Sequence, residues 1–160
     1  AAACQRALAR TCRGLYLEAE GLRPFPGLEH FLRTVKERGA KTGLVSSTQC
    51  REVLDALNRF SLLPLFDVVL GGESAPRRKP APDPYLHAAR FLRARPEDCM
   101  VVEDSPPGIL AGKRAGMFVV GLTAGSLPQA VSLADATAAD YGQLLRLALQ
   151  WLSEQSGFGA

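Results

Sequence analysis

Cys99–Gly108 reads CMVVEDSPPG, and the fold turns on how this stretch is understood. Met100, Val101 and Val102 form an apolar run with no polar face, as expected of a strand covered on both sides. The run stops at Glu103 and Asp104. Ser105 and Pro106 then open a helix, since the serine offers a side-chain acceptor and proline needs no donor in the first turn.

The same unit recurs on either side. Upstream, TGLVSS predicts a buried strand from Thr42 to Val45, and Val53, Leu54, Leu57 and Phe60 mark a helix. FDVVLGG gives a second strand, followed by a polar, proline-rich loop to Pro82. Asp83 with Pro84 predicts a helix start, continued by Tyr85, Ala88, Ala89 and Leu92. Downstream, MFVVGL is a fourth strand and Ala136–Ala138 a weaker one. A last helix carries Leu144, Leu147, Ala148, Trp151 and Leu152 on one face. Earlier, Leu28, Phe31, Leu32 and Val35 fall at helical spacing until Gly39 ends the helix. Residues 1 to about 20 are expected to be helical, ending in GLRPFPG, where Pro24 and Pro26 impose an extended connector.

Short strands alternating with longer helices imply an α/β fold with a mainly parallel, Rossmann-like sheet sandwiched by helices. In such sheets the ligand crevice lies beyond the carboxyl ends of the strands. Three strand ends supply Ser46, Ser47 and Thr48, then the loop with Arg77, Arg78 and Lys79, then Glu103, Asp104 and Ser105. One crevice would collect hydroxyls, a cation and an acidic pair. An isolated Glu-Asp pair is ordinarily surface charge. Here a buried strand fixes its position, and a helix start points free N–H groups at the same place. Two carboxylates at such a rim repel unless a cation joins them, and hard oxygen ligands suit magnesium. Ser46 with the following helix start could cradle a phosphate oxygen, or could simply cap that helix. Arg77 and Arg78 read as a solvated basic loop, whereas Pro80, Pro82 and Pro84 stiffen the backbone that presents Lys79.

Composition narrows the function classes. Of 160 residues, 47% are hydrophobic, enough for one core; net charge is +3, from 19 basic and 16 acidic residues, and aromatics are 7%. No basic stripe interleaves with stacking rings, so no nucleic-acid platform is expected, and no apolar run is long enough to span a bilayer, so no membrane partner is expected. Cys4, Cys12, Cys50 and Cys99 form no C-x-x-C pair and read as reduced thiols of a cytoplasmic protein. The opening AAACQRALARTCRG has no uninterrupted apolar stretch, so it does not read as a signal peptide; lacking an initiating methionine, it suggests a fragment. His30 and His87 have no metal-ligand partner in the pattern, and AGKRAGM lacks the spacing of a P-loop. Its glycines suit close helix packing.

GLVSST, RRKPAPDPYL and VVEDSPPGILAGKRAGM resemble, in order, the second, third and fourth motifs of the haloacid dehalogenase superfamily. The likeness is to the branch of phosphoglycolate phosphatases and β-phosphoglucomutase-like enzymes and covers about Arg23 to Gly125. RPFPG and KERGAKTGLVSS resemble the return from that branch's helical cap into its core. The resemblance implies that Ser46, with Ser47 beside it, binds the phosphoryl group and that Lys79 neutralises it. Asp104 would ligate Mg2+, and Glu103 would be a second, indirect ligand. Residues 1–21 would be a cap remnant and 22–160 the α/β core.

The resemblance also implies covalent chemistry, in which an aspartate attacks phosphorus and another, two residues on, serves as acid and base. The aspartates present (Asp55, Asp67, Asp83, Asp98, Asp104, Asp135 and Asp140) include no D-x-D pair. Asp67 precedes a strand instead of following one. The expectation is therefore a magnesium-dependent phosphatase or phosphomutase core for a small phosphorylated metabolite, lacking its first central strand and most of its cap, inactive and poorly folded alone. The alternative is a non-catalytic phosphate- or partner-binding module on the same fold. The sequence leaves the oligomeric state open.

Overall fold

The computed structural model describes residues 7–10, 15–18, 21–123 and 131–156. Apolar runs become strands β4 (Lys41–Val45), β5 (Val68–Leu70), β6 (Cys99–Glu103), β7 (Phe118–Leu122) and β8 (Ala136–Ala138). Between them lie helices α1 (Leu28–Glu37), α2 (Cys50–Arg59), α3 (Asp83–Leu92), α4 (Pro106–Arg114) and, at the end, α5 (Tyr141–Ser156). Three further strands precede them: β1 (Ala7–Arg10), β2 (Leu15–Glu18) and β3 (Gly21–Pro24). No helix among the described residues is long and apolar enough to cross a membrane.

The first central strand is not missing. The six-stranded sheet runs β5-β4-β1-β6-β7-β8, and β1 pairs in parallel with β4 on one side and β6 on the other. Within the helix expected over residues 1–20, the described residues are instead β1 and β2, the latter paired antiparallel with β3, and the rest of that span lies outside the described residues. Local composition misleads here, because Ala, Leu and Arg are strong helix formers. The competing term is tertiary. Without β1, the edges of β4 and β6 would face each other across about 10 Å with two rows of unpaired N–H and C=O groups. A strand in that slot satisfies both rows at once. A domain boundary at residue 21 would therefore cut the central strand from its own sheet, and the penalty expected of an empty slot does not arise.

Side chains of alternate residues then sort to the two faces. Met100 and Val102 join Leu44, Val120 and Leu122 under α1, α2 and α5, with Phe31, Val53, Leu57, Leu144 and Trp151. Cys99, Val101 and Val119 face α3 and α4, with Tyr85, Ala88, Ile109 and Ala111. Gly112 lets α4 lie close to the sheet: a Cβ there would come within 2.8 Å of Val119 and 3.3 Å of Val101. Gly39 follows α1 at φ +80, as its stop signal implied. Cys50 and Cys99 are free thiols, burial pushing Cys99 up to about 12, and Cys4 and Cys12 lie outside the described residues.

The amino-terminal edge of the sheet is closed twice by one device. Asp67, just before β5, donates its N–H to Thr42 O at 2.8 Å and accepts the Thr42 N–H on Oδ2 at 2.7 Å. Asp135, just before β8, does the same with Val119, at 2.8 Å in both directions. Lys36 and Lys113 pair with the two carboxylates. Asp67 thus belongs to the edge opposite the expected crevice. Burial raises its pKa, but the Lys36 ammonium and the Thr42 donors outweigh this and hold it below the usual carboxylate range. A lowered folded-state value stabilises at pH above the unfolded pKa and is lost as pH falls through the folded one. Asp67→Asn should therefore cost about 0.5–1 kcal/mol in urea denaturation at neutral pH, the carboxylate being partly exposed. The gap from the parent chain should close on acidification below about pH 4.

Candidate functional site

Lys79 draws the crevice together. It sits in the loop between β5 and α3, and its Nζ donates to Glu103 Oε1 at 2.6 Å and to Val45 O at 3.2 Å. Both side chains are buried, Lys79 at 5% and Glu103 at 0% exposure. Val45 immediately precedes Ser46, and Glu103 immediately precedes Asp104. Arg10, the last residue of β1, is in register with Leu44 and Val102, one residue short of the pair that Lys79 spans. The ammonium therefore bridges the carboxyl ends of the strands on either side of β1. Ser46, Lys79, Glu103 and Asp104 gather at one rim.

Glu103 is held from every side. Oε1 accepts from Lys79 and also from the Tyr85 hydroxyl at 2.5 Å. Oε2 accepts from Ser105 Oγ at 2.9 Å and from the Asp104 and Ser105 N–H groups at 3.2 and 3.3 Å. Ser105 Oγ in turn caps α4 by accepting from the Gly108 N–H. Gly108 is required by closeness, since a Cβ there would lie 2.0 Å from Glu103 Cδ. The helix start expected after Ser105 is thus aimed at a carboxylate of the protein itself. Tyr85 does not stand out in the sequence, because it occupies an ordinary core position of α3. The signal available was the phenol itself, because a buried tyrosine hydroxyl needs a partner.

Ser46 is buried and its Oγ accepts the Thr48 N–H at 2.9 Å, the local turn that a capping role implies. Ser47 is exposed and lines a hollow of about 260 Å³ with Gln49, Gly72, Glu73 and Arg78. The start of α2 is not bare. Both Glu73 oxygens accept the Cys50 N–H, at 2.9 and 3.2 Å, so an internal carboxylate sits where a phosphate cradle was anticipated. That donor lowers the Glu73 pKa. Arg77 and Arg78 are exposed, as a solvated loop implies, and Arg77 pairs with Asp83 at 3.0 Å. Asp83 lies inside α3, after the cap position at Pro82, and does not cap the helix. His30 is exposed, and His87 Nδ1 is 3.1 Å from Ser74 O. A larger hollow of about 650 Å³, lined by Phe25, His30, Arg33 and Phe60 among others, includes none of the rim residues.

For a divalent ion, the carboxylate at this rim that the described residues offer is Asp104. Glu103 has donors on both oxygens, and no group of three or more His, Cys, Asp or Glu able to hold a metal occurs among the described residues. Magnesium commonly takes one or two protein carboxylates and completes its shell with water and substrate phosphate, so Asp104 fits such an ion, with Glu103 behind it.

Residues 5–122 match the model of the haloacid dehalogenase-like hydrolases. The chain belongs to that family. Among curated relatives, it is 37% identical over 101 residues to a phosphoglycolate phosphatase of Psychrobacter arcticus, covering 63% of this chain and 44% of that protein. It is 36% identical over 107 residues to hexitol phosphatase A of Escherichia coli, covering 67% and 49%. It therefore spans about half the length of these relatives. Among solved structures, a β-phosphoglucomutase candidate from Thermotoga maritima superposes with a TM-score of 0.75 at 33% identity, over 82% of this chain and 62% of that one. The relatives and solved structures that it resembles within this family are named as phosphatases and a β-phosphoglucomutase candidate.

Removing one partner of a buried ion pair leaves the other charge uncompensated. Lys79→Met should destabilise the chain by about 3–5 kcal/mol. Adding Glu103→Gln should recover much of that loss, because the remaining groups are then neutral. Chemical denaturation of the single and double variants checks both expectations.

Proposed function

We propose that this chain is the phosphoryl-handling core of a magnesium-dependent phosphatase or phosphomutase for a small phosphorylated metabolite, and that as these 160 residues it binds phosphate without turning it over. The observation that carries the reading is the Lys79 ammonium, held at once by the ends of β4 and β6 and so placed over the end of β1. A cation buried at the carboxyl rim of a parallel sheet suits a phosphoryl oxygen. Ser46 Oγ would donate to a second oxygen of the group. Asp104 would hold the magnesium, which when bound offsets charge on the phosphoryl oxygens. Glu103 fixes Lys79 and the α4 start behind Asp104. The curated relatives, named as phosphatases, support a small ester as ligand.

The covalent step of the family needs a carboxylate after the central strand. β1 is followed in the sequence by Thr11, Cys12 and Arg13, and the first aspartate is Asp55, on α2. Chemistry by an aspartyl-phosphate therefore has no nucleophile within these residues at the required place. The same fact favours the second reading, a phosphate- or partner-binding module that keeps the grip and lacks the attack. The residues between β1 and α1, with the β2–β3 pair, would be what this chain has of a cap.

Inorganic phosphate should bind the chain in calorimetry, more tightly with magnesium present. Ser46→Ala should weaken it roughly ten- to a hundredfold, as loss of one hydrogen bond to a charged ligand implies. Asp104→Asn should abolish the magnesium-dependent part. No binding by the parent chain refutes the site, and turnover of p-nitrophenyl phosphate that Asp104→Asn removes refutes the inertness.

A further inference from the structure

The strongest unused feature of the molecule is Tyr85. Its side chain is fully buried, on the third residue of α3, among the apolar groups that pack against the sheet. An aliphatic residue would fill such a position without a polar atom. The phenol instead reaches the very oxygen that holds the lysine: Glu103 Oε1 lies 2.5 Å from Tyr85 Oη and 2.6 Å from Lys79 Nζ. The face of the same ring lies 4.6 Å from Lys79 Nζ. One residue thus touches the lysine on one side through its ring and on the other through the carboxylate they share.

We propose that Tyr85 is the positioning residue of the phosphate site, setting how strongly Glu103 holds Lys79 and hence how well Lys79 can serve a phosphoryl oxygen. This rests on the phosphate-binding reading above. A carboxylate oxygen accepting from two donors offers each less charge than it would offer one. With the phenol in place, the Glu103–Lys79 pair is moderated. The ring, whose face carries negative charge density, supports the ammonium where it stands. Without the hydroxyl, Oε1 turns wholly to Lys79 and draws the ammonium back toward the carboxylate. Without the ring, the support is gone as well. Tyr85 touches no ligand in this scheme and acts only through Lys79.

Two variants and one spectroscopic probe separate this role from plain packing. In calorimetry with inorganic phosphate and magnesium, Tyr85→Phe should weaken binding roughly five- to tenfold while the melting temperature falls little. Tyr85→Leu should weaken it further. The chain labelled with 3-fluorotyrosine should show a 19F resonance, assigned to position 85 by its loss in Tyr85→Phe, that moves as phosphate is titrated. In the Lys79→Met/Glu103→Gln background that resonance should stay still. Parent-level affinity in Tyr85→Phe, or a position-85 signal indifferent to bound phosphate, overturns the positioning role while leaving the site itself intact. Failure of the parent chain to bind phosphate overturns both.

Discussion

A lysine and a glutamate buried together at the rim of the sheet organise the rest of this molecule. Desolvating two charges costs several kcal/mol each, and an isolated pair rarely repays that through attraction alone. Here the additional donors on Glu103 make the arrangement tenable: Tyr85 from α3, Ser105 and two backbone N–H groups from the α4 start. The pair consequently ties three separate segments to one point. The proline-rich loop, the end of β4 and the β6–α4 turn are held in mutual register by a single ammonium. Gly108 belongs to the same constraint, because only a residue without Cβ lets α4 approach the carboxylate so closely.

The central strand shows how context outranks composition. Ala7–Arg10 has little in its own residues to recommend an extended conformation, yet it pairs on both edges. The slot between β4 and β6 supplies the reason. Filling it keeps the sheet continuous from β4 to β6.

Much of the fold was legible because its strands are short aliphatic runs bounded by turn residues. β4, β5, β6, β7 and even the weak β8 follow directly from Thr42–Val45, FDVVLGG, CMVVED, MFVVGL and Ala136–Ala138. β1 was not legible, because its evidence lies in partners far along the chain, at Lys41 and Cys99. The site divides in the same way. Lys79 and the Glu103–Asp104 pair stood out by their place after strands and beside prolines. Tyr85 did not, since its partner is eighteen residues away and its spacing is that of any core position. Nor did Glu73, which closes the start of α2 from a different loop. Helical and strand periodicities report which way a side chain faces, not what it meets there.

The paired aspartates at the opposite edge carry a consequence for how such a scaffold can vary. Asp67 and Asp135 lock their strands to neighbours with contacts that involve nothing at the rim held by Lys79. Anchorage is thereby secured at the end of the sheet opposite Lys79. Loops at the carboxyl end can lengthen, shorten or change charge while these moorings below keep the strands aligned.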